Sequence, residues 1–292
     1  MKALAGVQFQ SNWLEILQSP FLQHALIGGS LVAVAAGLLG YFVITRQNAF
    51  AAHALAHIGF PGATGAILLG VPVTLGLAVF CVGGGLLIGL FGRRVADREM
   101  ATGTILALAT ALGVLFASLA SANASTTTSV LFGNLLAISQ AQLMIYGAFT
   151  LAVVGTLAVL ARPLVFASVD PAVAEARGVP VRALGLAFIV LLALTITMAV
   201  QVVGTLLLFA LVVTPAATAL RITARPVRVA LISVALALGA VWGGLVLSAM
   251  VDLPPSFFIV SLAVTAWVLV LAVVGRRSRR PAQPLVDAHH RH

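Results

Sequence analysis

The stretch QNAFAAHALAHIGFPGATGAILLGVPVTLGLAVFCVGGGLLIGLFG, residues 47–92, carries no formally charged side chain over 46 residues. A helix that crosses the hydrocarbon core of a bilayer needs about 20 mainly apolar residues. The stretch therefore has room for two crossings, and Gly70–Pro72 is the natural place for a turn between them. In a membrane, a segment this apolar forms a helix, because a helix provides hydrogen bonds for all of its backbone polar groups. The stretch predicts a membrane helical hairpin.

The composition extends this prediction to the whole chain. Of 292 residues, 61% are hydrophobic and 8% are charged, and the mean hydropathy is +1.15. Soluble domains carry about 25% charged residues, so a soluble fold is excluded. The net charge of +9 sits in short basic clusters between apolar runs, which is typical of membrane topology rather than of nucleic-acid binding. We therefore expect an all-α polytopic membrane protein in contact with lipid and not with nucleic acid.

The basic clusters also predict the topology. The apolar sequence between one cluster and the next is long enough for two membrane crossings. All clusters therefore fall on one side of the membrane, which is the cytoplasm by the positive-inside rule. The clusters are Arg93/Arg94/Arg98, Arg162/Arg177/Arg182, Arg221/Arg225/Arg228 and Arg276/Arg277/Arg279/Arg280. This spacing predicts eight or nine transmembrane helices and a cytoplasmic C-terminus.

The apolar runs divide the chain into three parts. Residues 1–23 are expected to form an interfacial N-terminal segment, residues 24–275 the transmembrane domain, and residues 276–292 a polar cytoplasmic tail. Within the domain, residues 130–139 are apolar but too short to cross, so they predict a re-entrant segment. Residues 166–182 form the longest polar interruption and predict a cytoplasmic segment.

His53 and His57 are the first candidate functional residues. Four-residue spacing places both imidazoles on one helix face, and ionisable groups within a membrane typically mark an ion or substrate path. Imidazole nitrogen is a ligand for zinc and neighbouring metals. The alternative is a pair of buried histidines hydrogen-bonded to neighbouring helices. A zinc protease is excluded, because its H-E-x-x-H motif needs a glutamate where Ala54 stands.

Two further features have a structural and a functional interpretation each. One interpretation of Pro61 and Gly62 is a helix break that acts as a gate. The other is close packing against a neighbouring helix, which the four-residue spacing of Gly62, Ala66 and Gly70 favours. Asp170 and Pro171 predict the start of a short helix, which carries Glu175 and Arg177 and ends at Gly178 and Pro180. That helix is either a solvated loop or a docking element for a cytoplasmic partner.

Several stretches, in matching order from about residue 24 to residue 275, resemble one family. AGLLGYFVITRQNAFAAHALAHIGFPGATGAILLG and SVLFGNLLAIS are similar to segments of zinc/manganese-type ABC transporter permeases, the ABC-3 family. DPAVAEARGVPVRAL, VQVVGTLLLFALVVTPAATA and VDLPPSFFIV are similar to later segments of the same family. The resemblance implies a multi-pass permease in a bacterial cytoplasmic membrane. It also implies three partners: a separate cytoplasmic ATPase, an extracytoplasmic metal-binding protein and a second permease copy.

The resemblance also assigns roles to residues. His53 and His57 match an acidic residue and a histidine that the family uses in metal passage, so His53 departs from the family pattern, as does Ala56 in place of serine. Two imidazoles favour zinc, ahead of manganese or iron. The ATPase-coupling residues are expected to be Asp170, Pro171, Glu175, Arg177, Gly178, Val179 and Pro180. The chain lacks the G-x-x-x-x-G-K-[ST] motif, so we expect a pore subunit rather than an enzyme, without a permanently bound cofactor.

Two other functions remain compatible with the sequence. A secondary, ion-gradient-driven metal transporter would be expected to carry intramembrane carboxylates as coupling groups, and Asp252 is the one acid near a span. An ABC permease for a metal chelate or siderophore would need a wider path and no histidine pair.

Overall fold

The protein is a bundle of membrane-length helices. The computed structural model describes residues 18–91, 95–120, 133–205, 208–251 and 253–278, and of residues 95–96 and 275–278 the backbone alone. The helices are α1 (Pro20–Thr45), α2 (Ala49–Leu69), α3 (Val73–Phe91), α4 (Val95–Leu119), α5 (Gln140–Val169), α6 (Pro171–Ala176), α7 (Val181–Val203), α8 (Leu208–Val212), α9 (Thr214–Ile222), α10 (Pro226–Val251) and α11 (Pro255–Ser278). Among the described residues, eight helices are long and apolar enough to cross a membrane. The expected all-α polytopic fold is confirmed.

Helices α1, α2 and α7 form the centre of the bundle. About two-thirds of the apolar part of each is buried, compared with 11% for α11, so α11 lies at the periphery of the bundle. Small residues allow the central helices to approach closely. A Cβ atom on Gly37 of α1 would lie 2.7 Å from the backbone of Val234 in α10. The core therefore depends on backbone-to-backbone packing as well as on large side chains.

The predicted hairpin at residues 47–92 is present as α2 and α3. Gly70 ends α2 with a φ of 68°, a left-handed conformation that glycine adopts without strain. Pro61 lies inside α2, which continues through it as one helix. Gly62 packs directly on the backbone of Gly76 in α3, and Ala66 faces the same glycine. Of the two interpretations of Pro61 and Gly62, the structure supports close packing and shows no break in the helix.

A buried cysteine reinforces the same contact between α2 and α3. Cys81 is fully buried, and its thiol donates a hydrogen bond to the carbonyl oxygen of Leu55 at 3.4 Å. A small side chain at this point keeps α2 and α3 close along much of their length.

We expect Gly76→Ala to destabilise the protein, by about 1–3 kcal/mol, because the new methyl group would collide with the backbone of Gly62. The matched control is Gly83→Ala in the same helix, where a Cβ meets no atom within 4 Å. Thermal unfolding of the detergent-purified proteins measures the difference. If both variants kept the melting temperature of the unmodified protein, the close-packing interpretation would be contradicted.

The segment after α4 returns into the bundle as predicted. Its first part, residues 121–132, lies outside the described residues. The described part contains the 3-10 helix η1 (Leu135–Ala137), and Leu135 and Ile138 are buried against Gly29 and Gly28 of α1. Gly28 lies eight residues after the start of α1, which is about 12 Å along its axis. The apolar segment therefore penetrates the bundle without crossing it.

The region between Arg182 and Arg221 differs from two full crossings. Helix α7 is long, but the apolar run after it forms two short helices, α8 and α9. Gly204, with a φ of 89°, ends α7, and Pro215 in the first turn of α9 favours the start of a new helix. Val213 alone separates α8 from α9, and the two together span Leu208–Ile222, which is shorter than a crossing helix. The described residues thus have eight long helices and one broken apolar segment.

The predicted division of the chain at residues 24 and 275 stays a prediction. Helix α1 begins at Pro20, four residues before the predicted boundary, and α11 continues to Ser278. The remainder of the predicted interfacial segment, residues 1–17, and residues 279–292 of the predicted tail lie outside the described residues.

Candidate metal path and coupling segment

The two candidate metal-binding histidines lie together on α2. The ring centroids of His53 and His57 are 4.8 Å apart, and the rings meet edge to face. The His53 ring also lies 6.3 Å from the ring of Phe209 in α8. His53 lies four residues after the start of α2 and His57 eight residues after it, which is about 6 Å and 12 Å along the helix axis. The predicted common face is confirmed, and the pair faces the broken segment rather than a straight helix.

The histidine pair has unused binding capacity. Both side chains are half-buried, and neither makes a hydrogen bond to any described residue. The alternative interpretation required hydrogen bonds to neighbouring helices, so it loses its main support. Among the described residues, no group of three or more His, Cys, Asp or Glu side chains converges on one point. One copy of the chain therefore supplies two nitrogen ligands here, and a bound ion would need further ligands from water or from a second copy.

The predicted coupling segment forms a short, exposed helix, α6. The Asp170 carboxylate accepts a hydrogen bond from the backbone N–H of Val173 at 3.0 Å, which is the predicted N-cap. Gly178, with a φ of 79°, terminates the helix. Ala174 is buried against the bundle, while the other residues of α6 are exposed. The local shape agrees with the sequence prediction, except that the helix ends at Ala176 and Arg177 forms its C-cap.

An arginine connects this segment to the histidine helix. Arg46, in the turn before α2, donates a hydrogen bond to the Ser168 hydroxyl at 3.3 Å, two residues before Asp170. Its guanidinium also lies 5.5 Å from the ring centroid of Phe188 in α7. Burial lowers the pKa of Arg46, and the nearby charge of Arg98 lowers it further. Arg46 therefore joins the ends of α1, α5 and α7 close to the start of α2.

Sequence reasoning missed this role of Arg46. The signal was the position of a single arginine in the short turn between two apolar helices. The end of the bundle that contains Arg46 and Arg98 is called the arginine end below. Arg98 donates a hydrogen bond to the buried Asn48 side chain at 2.9 Å, so both arginines anchor the turn before α2.

A second polar cluster lies at the opposite end of α2 and α3, called the glutamine end. The Gln201 amide oxygen accepts hydrogen bonds from the hydroxyl of Thr74 at 3.0 Å and from the amide of Gln142 at 3.2 Å. The backbone N–H of Asn134 donates to the carbonyl oxygen of Gln201 at 3.0 Å. Gln201 thereby connects α3, α5, α7 and the re-entrant segment.

These features define a class: a polytopic membrane protein with a half-buried histidine pair inside the bundle and a short exposed helix at the arginine end. The chain belongs to the ABC 3 transport family, whose sequence profile matches residues 18–274. Members of this family are the membrane subunits of ATP-binding cassette transporters, in which ATP hydrolysis takes place on a separate chain. The expectation of a pore subunit is confirmed on this basis.

Named relatives cover most of the chain. It is 31% identical over 257 residues to the "Manganese transport system membrane protein MntC" of Halalkalibacterium halodurans, which covers 87% of this chain and 88% of that protein. It is 32% identical to the "Manganese import system permease protein ScaB" of Streptococcus parasanguinis, over 69% of this chain and 72% of that protein.

Solved structures agree with the fold. The structure titled "PsaBC from Streptococcus pneumoniae in complex with Fab" contains a chain that matches with a TM-score of 0.80 at 28% identity. The match covers 89% of this chain and 95% of that one. An inward-facing conformation of a putative metal-chelate type ABC transporter matches with a TM-score of 0.68 at 16% identity, over 86% of each chain. The second match supports the fold alone.

Proposed function

We propose that this chain is the membrane subunit of an importer for a divalent transition-metal ion, and that His53 and His57 contact the ion as it passes. The observation that carries the proposal is the pair of adjacent imidazoles without hydrogen-bond partners among the described residues. Leaving two such groups unpaired within a membrane domain is costly unless they serve a ligand. Membership of the ABC 3 transport family supports a transport role.

The metal is proposed to be manganese. The two relatives described above are named as manganese transport proteins, and this favours manganese over the zinc predicted from two imidazole ligands. Zinc is the second candidate, because a site with two nitrogen ligands binds later first-row metals more tightly than manganese. A passing ion needs a weak site, and two neutral imidazoles hold Mn²⁺ more weakly than a carboxylate–imidazole pair would.

The sidedness and partners follow from charge and exposure. We place the arginine end in the cytoplasm of a bacterium, because the arginine clusters lie on that side. The exposed helix α6 is then available to a cytoplasmic ATPase, through Asp170, Pro171, Glu175, Arg177, Gly178, Val179 and Pro180. A metal-binding protein would deliver the ion at the glutamine end. A second copy of the chain would complete the ligand set around the two half-exposed imidazoles.

Arg46 supplies a mechanical route from the ATPase to the ion. A displacement of α6 moves Ser168, and the Ser168–Arg46 hydrogen bond transmits it to the turn before α2. Arg98 anchors the same turn through Asn48, so the turn responds as one unit. The histidines lie within about two and a half turns of that point. Motion at the ATPase would therefore reposition both imidazoles.

Reconstitution into vesicles tests the function. The chain is inserted with its ATPase and its binding protein, and Mn²⁺ and Zn²⁺ uptake is followed with and without ATP. We expect ATP-dependent Mn²⁺ uptake that requires all three proteins. Uptake by the chain alone under a proton gradient would instead indicate a secondary transporter. ATP-dependent uptake of a siderophore complex without free-ion uptake would indicate a chelate permease.

A further inference from the structure

Arg46 and Arg98 form a pair of cations at the turn before α2, at the arginine end. Both side chains are half-buried. They lie close enough together that the charge of Arg98 contributes to the lowered pKa of Arg46. The hydrogen-bond partner of each guanidinium is a neutral oxygen, the hydroxyl of Ser168 in one case and the side-chain amide oxygen of Asn48 in the other. The chain therefore holds two like charges together at a place that water only partly reaches.

No carboxylate among the described residues neutralises this pair. Neither arginine forms a salt bridge with the acidic residues described at this end, which are Asp97, Glu99, Asp170 and Glu175. Glu99 follows Arg98 in α4, but its side chain is exposed and acts on that arginine only at a distance. The Asp170 carboxylate accepts its hydrogen bond from the backbone N–H of Val173 instead. Because a partly buried cation without a counter-ion is costly, the pair is suited to an anionic ligand.

The two guanidinium groups keep most of their hydrogen-bonding capacity. A guanidinium carries five N–H donors in a planar fork, and each arginine uses one of its N–H-bearing nitrogens for a protein oxygen. The Arg46 guanidinium also lies over the ring of Phe188, a contact that orients the group without using a donor. Two oriented forks of this kind match the oxygens of a phosphate group, which arginine binds through paired N–H···O bonds.

The position of the pair indicates the source of the phosphate. Arg46 directly follows the last residue of α1, and Arg98 is the fourth residue of α4. Helices α1, α2 and α4 are all long enough to cross a membrane, so their ends lie near the level of the lipid headgroups. Basic pockets between membrane helices on the cytoplasmic side bind the headgroups of anionic lipids. The pair combines this location with the donors that such a headgroup needs.

We propose that Arg46 and Arg98 together bind a phosphate group at the arginine end, and that an anionic phospholipid supplies it. The proposal goes beyond the transport function, since it depends neither on the metal nor on His53 and His57. It also has a consequence for the transporter. Because Arg46 donates a hydrogen bond to Ser168, a bound headgroup would hold the contact between α5 and the turn before α2 in place.

Spin-labelled lipid tests the proposal. The chain, in complex with its ATPase, is placed in nanodiscs of phosphatidylcholine that contain a trace of phosphatidylglycerol with a nitroxide on its acyl chain. Electron paramagnetic resonance gives the fraction of label immobilised on the protein, and unlabelled phosphatidylglycerol or phosphatidylcholine competes for the site. We expect phosphatidylglycerol to be bound in preference. Arg46→Gln/Arg98→Gln should lower this preference at least about tenfold, the effect of one lost hydrogen bond to a charged group.

The matched control removes two other arginines from the same side of the membrane. Arg162 of α5 and Arg228 of α10 are exposed, and neither makes a hydrogen bond or an ion pair to a described residue. Arg162→Gln/Arg228→Gln lowers the net charge by the same amount. This control variant should weaken only the general attraction of the protein surface for anionic lipid, and it should retain most of the preference for phosphatidylglycerol.

Three results would overturn the proposal. An equal loss of preference in the two double variants would mean that the attraction is not specific to Arg46 and Arg98. Inorganic phosphate that raises the melting temperature in phosphatidylcholine alone, without any preference for phosphatidylglycerol, would show that the site takes free phosphate. Loss of the ATPase from Arg46→Gln/Arg98→Gln with an unchanged lipid preference would assign the pair to a carboxylate of that partner.

The unmodified protein provides a test that needs no variant. If Arg46→Gln/Arg98→Gln does not fold, the absence of a preference for phosphatidylglycerol in the unmodified complex is sufficient to overturn the proposal. None of these measurements involves metal uptake. Failure of the proposed transport function would therefore leave the lipid result unchanged.

Discussion

Replacement of both His53 and His57 by alanine should lower ATP-dependent Mn²⁺ uptake about 100-fold or more. The reason is that loss of one group that only supports a metal ligand already lowers metal affinity or activity by up to about 100-fold. The two rings are adjacent and make no hydrogen bonds among the described residues, so under the proposed function the main loss is their contact with the ion. Helix α2 should remain in place, since its tight contacts with α3, at Leu55, Gly62 and Ala66, involve neither imidazole ring. Initial rates of ⁵⁴Mn uptake into vesicles measure the effect.

The control for this experiment is another histidine within a membrane helix. The Nδ1 atom of His24 in α1 lies 3.2 Å from the carbonyl oxygen of Ile138 and tethers the re-entrant segment. His24→Ala should lower the melting temperature and retain uptake per folded molecule. If His53→Ala/His57→Ala instead lost folded protein from the membrane while the surviving molecules transported normally, the pair would be structural.

A carboxylate at residue 53 tests the choice of metal. His53→Asp should retain uptake and raise the ratio of Mn²⁺ to Zn²⁺ transported, because oxygen ligands suit manganese and nitrogen ligands suit zinc. A competition assay with both ions in one vesicle preparation gives this ratio. An unchanged ratio would show that selectivity lies elsewhere in the transporter.

The second large effect is expected in the coupling segment. Glu175→Pro should abolish uptake and the co-purification of the ATPase, because proline lacks the backbone N–H and clashes with the preceding turn of α6. Since α6 has only six residues, this change disrupts the whole helix. Glu175→Gln keeps the helix and removes only the charge, so it should retain more ATPase binding than Glu175→Pro. Stable co-purification with Glu175→Pro would exclude α6 as the docking helix.

Arg46→Ala separates docking from transmission. The variant keeps α6 intact and removes the hydrogen bond to Ser168 and the contact with Phe188. We expect the ATPase to bind normally and the uptake per ATP hydrolysed to fall about tenfold. An effect of this size is within the range by which single substitutions change the coupling free energy between two sites. Normal uptake per ATP would mean that the motion reaches α2 by another route.

The topology was predictable because its signals are local. The uncharged run at residues 47–92 contains its own turn at Gly70–Pro72, and the arginine clusters mark the ends of neighbouring helices. The N-cap at Asp170 and the terminator Gly178 are also local, so α6 was predicted nearly to the residue. Chemistry that depends on adjacent residues, such as the facing rings of His53 and His57, was predictable for the same reason.

The features that the sequence did not reveal arise from contacts between distant residues. Thr74, Gln142 and Gln201 meet only after three helices pack together, and each alone is an unremarked polar residue. The Arg46–Ser168 contact spans 122 residues. The apolar run that forms α8 and α9 has the hydropathy of a membrane helix, so hydropathy alone did not predict its division at Val213.

The buried thiol of Cys81 makes the native chain well suited to spectroscopic labelling. It is the only cysteine in the sequence, and its position between α2 and α3 shields it from water-soluble reagents. A nitroxide or fluorophore can therefore be attached to one introduced cysteine without first removing the native one. In the proposed pair of copies, a label at Ala176, on the exposed end of α6, would report the distance between the copies and its change during ATP hydrolysis.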